Sequence, residues 1–279
     1  MIKKTKEKEV TMDKGICLFF GYKSPLKERL QKIKSAGFTS IITSADKRFN
    51  QQNGTLNKQV KEIKKAGLKL SSLHASYDRY LLHNFFKKNK IGDKIERGLK
   101  KEIKLAKKYG FTCLVVHLEG EPTDIGLNRF NRIFKVCEKY NIPLAIENLC
   151  SDENKKILPY LFTNLNSSYL KFCFDSGHNN ARHKDINYLE KYKDSVIALH
   201  LHDNDGNTDQ HTLNQFGTRN WKKTAEDLAK CKNITSLDYE ILMHVTNSPL
   251  SEDETLNICY QNALKLEKMI EDYKKINTK

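Results

Sequence analysis

Short runs of apolar and β-branched residues alternate along the chain with longer stretches in which apolar positions recur at helical spacing. The short runs predict eight strands, at residues 16–20, 40–43, 68–74, 112–117, 143–147, 169–175, 196–200 and 236–240. The longer stretches predict helices near residues 25–36, 56–66, 127–140, 153–161, 186–192, 221–230 and 252–273, and a further helix that ends at Gly110. Each predicted strand is therefore followed by a predicted helix.

This alternation favours parallel strand pairing, because each crossover helix returns the chain to the same edge of the sheet. Eight such units can close into a (β/α)8 TIM barrel. The competing architecture, an open doubly wound sheet, usually has a Gly-rich phosphate turn after an early strand, and neither GxGxxG nor GxxxxGK[ST] occurs here. We predict a single α/β domain over residues 1–279, with residues 1–13 as a flexible N-terminal extension.

Composition and charge narrow the possibilities without naming a substrate. The formal net charge is +15, which could attract phosphorylated sugars or nucleic acid. The lysines are spread over predicted amphipathic helices and both termini, so most of them are interpreted as solvated outer faces. The charge therefore does not decide between substrates.

The seven cysteines include no CxxC pair, and we interpret them as reduced thiols. No segment approaches the roughly 20 apolar residues that cross a bilayer, and the apolar stretch near the N-terminus is short enough to be the first strand. These features predict a cytoplasmic protein without a membrane span.

Ionisable residues close six of the predicted strands. In a parallel barrel all strands end at one rim, so these side chains are expected to meet around one axis although they are far apart in sequence. The six residues are His74, His117, Glu147, Asp175, His200 and Glu240. Imidazole and carboxylate together suit zinc, manganese and similar ions, and a cation would offset the cost of burying carboxylates.

Three further candidates follow strand ends: His178 in FDSGH, and Asp209 and His211 in DQH. Their loops are expected to fold back over the rim. His202 shares a strand face with His200, and it is interpreted either as a neighbour of the metal ligands or as an ordinary exposed or buried histidine. Nine candidates of suitable type at one rim favour a metal-dependent enzyme over isolated structural histidines.

Several stretches of the chain resemble the xylose-isomerase-like barrels, a family that includes sugar phosphate isomerases and epimerases and the three-zinc apurinic/apyrimidinic endonucleases. The most specific are SLHASYD, LVVHLEGEP, IPLAIENL, KFCFDSGHNNA and ALHLHDNDGNTDQHTL. The resemblance implies one metal ion held by Glu147, Asp175, His200 and Glu240. It also implies, for the endonucleases, ligands for two more zinc ions at His74, His117, His178, Asp209 and His211.

The resemblance implies a divalent-metal-dependent isomerase or epimerase that acts on a small sugar or sugar phosphate through an enediolate. Glu147 and Glu240 would exchange the substrate proton, and His178 would orient a substrate oxygen or bind a second ion. The cofactor would be one to three zinc, manganese or cobalt ions. We expect no interaction with membranes, and the protein could form an oligomer.

Two alternatives remain open. One is hydrolysis of abasic DNA by three zinc ions, and only this hypothesis includes a nucleic-acid partner. The other is a barrel that binds a ligand without catalysis. The segment GYKSPLKERLQKIKSAGF lacks the DNA-binding loop pattern of the endonucleases and looks like the isomerase branch. The GEG segment of the family reads Gln215, Phe216 and Gly217 here, which leaves the shape of that loop and the role of its glutamate open.

Overall fold

The computed structural model describes residues 12–20, 24–49, 53–243 and 249–277. The strands are β1 (Asp13–Cys17), β2 (Ser40–Ser44), β3 (Lys69–His74), β4 (Cys113–Val116), β5 (Leu144–Glu147), β6 (Leu170–Asp175), β7 (Val196–His200) and β8 (Ser236–Tyr239). The α-helices are α1 (Leu26–Ala36), α2 (Leu56–Lys65), α3 (Lys90–Tyr109), α4 (Asp124–Tyr140), α5 (Asn154–Asn164), α6 (Ser176–Arg182), α7 (Tyr188–Tyr192), α8 (Trp221–Leu228) and α9 (Glu252–Asn277). Short 3-10 turns lie at Lys47–Phe49, Leu82–Phe86 and Asn214–Phe216.

The eight strands form one parallel sheet in the order β7-β6-β5-β4-β3-β2-β1-β8. The two edge strands come together just beyond β7, where the N–H of Leu201 donates to the Asp238 carbonyl at 2.9 Å. The N–H of Glu240 then donates to the Leu201 carbonyl at 3.0 Å. These bonds bring the sheet round into a nearly closed barrel, and the predicted fold class is confirmed.

The first strand begins earlier than the predicted residue 16. β1 starts at Asp13, which pairs with Ser236 of β8. The start of β1 is polar because Asp13 lies near the amino-terminal rim of the barrel, where its carboxylate is 2.8 Å from Lys69 Nζ. The apolar pattern of the sequence therefore does not mark where this strand begins. The last residue of the predicted extension, Asp13, therefore belongs to the sheet, whereas residues 1–11 lie outside the described part of the chain and their flexibility stays a prediction.

The connection after β6 also differs from the prediction. Helix α6 follows β6 without a loop, and the side chain of Asp175 caps it by accepting a hydrogen bond from the backbone N–H of His178 at 2.6 Å. The predicted helix at residues 186–192 is shorter and begins at Tyr188. A helix as short as α6 carries too few apolar positions to show a periodic pattern in the sequence.

The hydrophobic core has two parts. The larger lies between the strands and the outer helices and includes the fully buried Ile33, Ile103 and Phe130. The smaller lies inside the barrel and consists of small or β-branched residues: Cys113, Val115, Ala145, Cys173 and Ala198. Each of these precedes a rim residue of its own strand by two or four positions, so the two-residue period of a strand places it on the same inward face.

Among the described residues, none of the helices is long and apolar enough to cross a membrane. All seven cysteines are free thiols, as predicted.

The buried carboxyl of Glu102 on α3 makes the stability of the fold depend on pH. Burial is the largest cause that raises the pKa of Glu102, and together with the opposing hydrogen bonds from Ser76, the repulsion by Asp46 and the attraction by Lys101 it brings this pKa to about 7. The folded chain therefore holds a proton that the unfolded chain releases near pH 4.5, so the stability this contributes is fully present below about pH 4.5 and is lost as the pH rises from there through 7.

Replacing Glu102 by glutamine, which keeps an acceptor for the Ser76 N–H, is expected to leave the free energy of unfolding nearly unchanged at about pH 4, below the unfolded pKa of this carboxyl. At pH 8, above both the unfolded and the folded pKa of Glu102, the variant should be more stable than the original chain by about 3 kcal/mol. Urea unfolding at both values measures this. The exposed Glu138, replaced in the same way, is the control and should show no difference. Equal stabilities of the Glu102 variant and the original chain at pH 8 would contradict the assignment.

Candidate metal centre

The six predicted strand-end residues all lie at the carboxyl ends of their strands. Four are the last residues of β3, β5, β6 and β7, and the other two directly follow β4 and β8. In that order they are His74, Glu147, Asp175, His200, His117 and Glu240. The fold therefore brings together at one rim side chains that span most of the described chain.

Glu147 is the centre of the group. Its Oε2 lies 3.1 Å from Nε2 of His117, 3.1 Å from Nδ1 of His200 and 3.7 Å from Nε2 of His74. Its Oε1 lies 3.3 Å from Nδ1 of His178. One buried carboxylate thus contacts four imidazoles from four different segments of the chain.

Four of the predicted ligands meet closely. Glu147, Asp175, His200 and Glu240 each offer a ligand atom, and these atoms lie within 4.8 Å of one another. His200 lies between the two glutamates, because its Nδ1 is 3.1 Å from Glu147 Oε2 and 3.3 Å from Glu240 Oε2. Asp175 and His200 are fully buried beneath the opening.

The remaining predicted ligands surround this group on two sides. On one side, Nε2 of His74 lies 3.0 Å from Nε2 of His117. On the other side, Oδ2 of Asp209 lies 3.3 Å from Nε2 of His178 and 3.2 Å from Nε2 of His211. All nine predicted residues therefore come together at the rim, and their roles as ligands stay a prediction.

Three imidazoles are oriented by backbone carbonyls. Nδ1 of His74 donates to the Ala75 carbonyl at 2.8 Å, and Nδ1 of His178 donates to that of Asn148 at 2.9 Å. Nδ1 of His211 donates to the Glu240 carbonyl at 2.9 Å. Because a carbonyl only accepts, each ring carries its proton on Nδ1 and turns Nε2 toward the centre, as metal-binding histidines do.

Several polar atoms at the centre are buried without a hydrogen-bond partner among the described residues. They include both ring nitrogens of His200 and Oε2 of Glu147: Nδ1 of His200 and Oε2 of Glu147 lie only 3.1 Å apart, but their alignment does not make a hydrogen bond. Buried polar atoms in this condition are costly unless a ligand satisfies them. Together with the carboxylate and imidazole donor set, they fit a divalent cation such as zinc, manganese or cobalt.

The carboxylates and imidazoles of the centre stabilise each other's charged forms. Burial alone would raise the pKa of Glu147, but His200 and His117 outweigh it and hold this pKa well below its usual value. Burial likewise opposes charge on His178, yet Asp175 and Asp209 keep the pKa of His178 well above its usual value. Without a cation, protonated imidazoles therefore neutralise the carboxylates.

The centre opens into a cavity of about 280 Å³ at the barrel mouth. Seven of the nine predicted residues line it, and Phe19, Ser44, Tyr77 and Leu242 complete its wall. Tyr77 covers the histidines, with its ring centroid 4.6 Å from that of His117 and 5.4 Å from that of His74. The cavity has room for a small molecule beside the proposed ligands.

Sequence reasoning gave less information about three other residues at this site. His202, whose role was left open, is fully buried and points Nε2 at both oxygens of Asp175 at 3.1 Å, so it orients that carboxylate. Cys150 forms a group with His178 and Asp209. Cys150 and Tyr77 were not predicted as site residues. Each lies only three positions after a predicted ligand, Cys150 after Glu147 in ENLC and Tyr77 after His74 in HASY.

The contact between His202 and Gly177 of α6 allows a test. A Cβ atom at Gly177 would overlap the His202 ring. Replacing Gly177 by alanine is therefore expected to displace the ring from Asp175 and weaken metal binding by about 10- to 100-fold. Competition with a fluorescent zinc chelator measures the affinity.

Gly98 in α3 provides the matched control, because a Cβ atom there meets nothing within 4 Å. Replacing Gly98 by alanine is expected to leave metal affinity unchanged and to stabilise the fold by about 0.5–1 kcal/mol. Unaltered metal affinity in the Gly177 variant would show that His202 does not position Asp175.

Comparison with known proteins identifies relatives over most of the chain. An uncharacterized protein, y4fM, from Sinorhizobium fredii is 25% identical over 288 residues, which covers 89% of this chain and 91% of that protein. The uncharacterized protein MJ1614 from Methanocaldococcus jannaschii is 24% identical over 157 residues, 54% of this chain and 60% of that protein.

Solved structures share the fold at low sequence identity. A D-tagatose 3-epimerase-like protein superposes with a TM-score of 0.69 at 17% identity, over 95% of this chain and 98% of that one. The IolI protein, solved with a bound zinc atom, superposes with a TM-score of 0.73 at 14% identity, over 94% and 99%. The sequence model described as "Xylose isomerase-like TIM barrel" matches residues 30–244, so the chain belongs to the xylose isomerase-like TIM barrel family.

Proposed function

We propose that this protein is a divalent-metal-dependent isomerase or epimerase that acts on a small sugar or sugar phosphate. The observation that carries the proposal is the meeting of Glu147, Asp175, His200 and Glu240 within 4.8 Å at the barrel mouth. Solved structures of the same fold include enzymes titled as epimerases, among them a 3-keto-D-glucoside 4-epimerase from E. coli. Those titles support the choice of reaction class.

Asp175, His200 and the two glutamates would hold the ion, which supplies polarisation of neighbouring carbonyl and hydroxyl oxygens. The chain itself would move the proton. Glu147 and Glu240 approach His200 from two sides, so one carboxylate removes the proton next to the carbonyl and the other returns it. Return of the proton to the opposite face of the same carbon gives an epimer, and return of the proton to the neighbouring carbon gives an isomer.

The remaining side chains would enclose the substrate. His178 faces both Glu147 and Asp209 and is placed to orient a substrate oxygen or to bind a second ion. Tyr77 and Phe19 provide the apolar walls that exclude water from the proton-transfer step.

A second candidate function is phosphodiester hydrolysis at abasic DNA by three zinc ions. It is favoured by the two further ligand groups, His74 with His117 and Glu147, and Cys150 with His178 and Asp209. In this reaction the additional ions would activate water and stabilise the departing oxygen.

One pair of assays separates the two candidates. The purified protein is incubated in heavy water with a panel of ketoses and ketose phosphates, and deuterium in the recovered sugar is measured by mass spectrometry. In parallel, a duplex with a single abasic site is tested for nicking. Deuterium incorporation without nicking supports the isomerase, nicking without incorporation supports the endonuclease, and neither activity with any divalent ion supports a binding protein.

A further inference from the structure

A second cavity, of about 340 Å³, lies outside the barrel wall between α6, α7 and α8. Phe174 of β6 lines it, whereas the neighbouring Cys173 and Asp175 face the barrel interior. The cavity and the metal centre have no lining residue in common. It is therefore a separate candidate site.

Arg219 is the principal charged group of this cavity. Its guanidinium carbon lies 5.1 Å from the ring centroid of Phe174. It donates to the Ser176 carbonyl at 2.8 Å, to Oδ1 of Asn179 at 3.2 Å and to Oγ1 of Thr224 at 2.9 Å. All three acceptors are neutral.

No carboxylate of the described chain lies within 4.0 Å of the Arg219 guanidinium. Burial lowers the pKa of Arg219 to about 10, although more distant aspartates, first among them Asp203, raise it. Enclosed charges in proteins are normally paired. The guanidinium thus makes no direct ion pair among the described residues, and the aspartates act on it only from a distance.

Lys184 adds a second cation with no ion pair in the described residues, at the exposed rim beside Thr218 and Gly206. The acidic residue of the cavity, Asp227, is already neutralised, because its carboxylate lies 3.0 Å from Lys223 Nζ and accepts from Asn187 at 3.0 Å. Two positive side chains without a direct ion pair among the described residues, Arg219 and Lys184, therefore line the same cavity.

The beginning of α8 reinforces this charge. Asn220, which lines the cavity, caps the helix by accepting from the backbone N–H of Lys223 at 3.0 Å. The first turn of a helix carries unpaired N–H groups and a partial positive charge that favour an anion.

We propose that this cavity binds a phosphate-class anion, either inorganic phosphate or the phosphoryl group of a small ester, through Arg219 and Lys184. The Nε and Nη1 hydrogens of Arg219 are engaged by Thr224, Ser176 and Asn179, so Nη2 would donate the charge-assisted hydrogen bonds to phosphate oxygens, and Lys184 at the rim would add a point charge. The volume suits a small phosphorylated molecule. The site is independent of the reaction proposed for the barrel mouth.

The fluorescence of Trp221, which lies beside this cavity, can report ligand binding. Trp221 is the only tryptophan, opens α8 next to Asn220, and donates from Nε1 to Asp203 at 2.7 Å. Titration with inorganic phosphate, and separately with methyl phosphate, at constant ionic strength set with chloride is expected to change its fluorescence saturably. The tighter of the two ligands identifies the free ion or the ester as the natural class.

Replacing Arg219 or Lys184 by glutamine is expected to weaken this binding by about tenfold or more. Lys222, exposed and outside the cavity lining, is the matched control for loss of one charge and should not change the affinity when replaced by glutamine. Lys184 is exposed, so its variant decides the question even if the Arg219 variant fails to fold.

The proposal is overturned by either of two results. One is the absence of a saturable response up to about 10 mM phosphate, a concentration that would already exclude physiological affinity. The other is binding that persists unchanged in the Arg219 and Lys184 variants, which would place the anion at the metal centre or elsewhere on the basic surface.

Discussion

Replacing Glu147 by glutamine is expected to lower kcat/KM for deuterium exchange into the active ketose by about 10³-fold or more. Glutamine neither accepts a proton nor supplies the negative charge that four imidazoles share in the described structure. The loss should appear mainly in kcat, with reduced metal content by elemental analysis. Isotope exchange monitored by mass spectrometry measures the rate.

Loss of a buried counter-charge can also destabilise the fold by several kcal/mol, typically about 3–5. Glu240→Gln therefore provides a second test at a more exposed carboxylate, and a similar fall in rate is expected there. The control is Glu121→Gln, because Glu121 is exposed and pairs only with Lys156 in the described structure. If both Glu147→Gln and Glu240→Gln kept more than about a tenth of the original rate, the two-carboxylate mechanism would be wrong.

Removal of the bound ions with a chelator is expected to reduce turnover by at least about 100-fold, with recovery when zinc, manganese or cobalt is added back. Elemental analysis before chelation gives the number of ions per chain. A single exchangeable ion with recovered ketose exchange agrees with the proposed isomerase. Three tightly held zinc ions with nicking of abasic duplex would favour the endonuclease instead.

The ion-free protein is expected to remain folded near neutral pH, because protons can replace the cation on the imidazoles. Burial opposes charge on His211, but Asp209 and Glu240 raise its pKa to about 9. The stability from this protonated histidine is fully present below its unfolded pKa near 6.5 and is lost as the pH rises through 9.

Thermal melts of the ion-free protein should therefore fall between pH 8 and 10, and those of the ion-loaded protein should fall less, because a cation then supplies the positive charge. Retention of full activity after complete removal of divalent ions, checked by elemental analysis, would contradict a metal-dependent mechanism.

Much of the fold could be predicted because its signals are local. The alternation of short apolar runs with helical periodicity marks β2 and α4 within a few residues, as it does the other long elements. Where the local signal is weak the prediction and the structure differ, as at Asp13, a polar strand end, and at α6, a helix too short to show a period.

The sequence by itself determined which side chains stand at the barrel rim. Residues such as His74 and Glu147 end strands, and in a parallel barrel all strands end on one side, so convergence follows from order along the chain.

Only the tertiary structure decided how these groups contact one another and what surrounds them. The place of Glu147 among four imidazoles, the contact of His202 with Asp175 and the neutral acceptors around Arg219 all depend on distances of a few ångströms between segments far apart in sequence. Burial and electrostatic pairing act through space, and local periodicity carries no record of them.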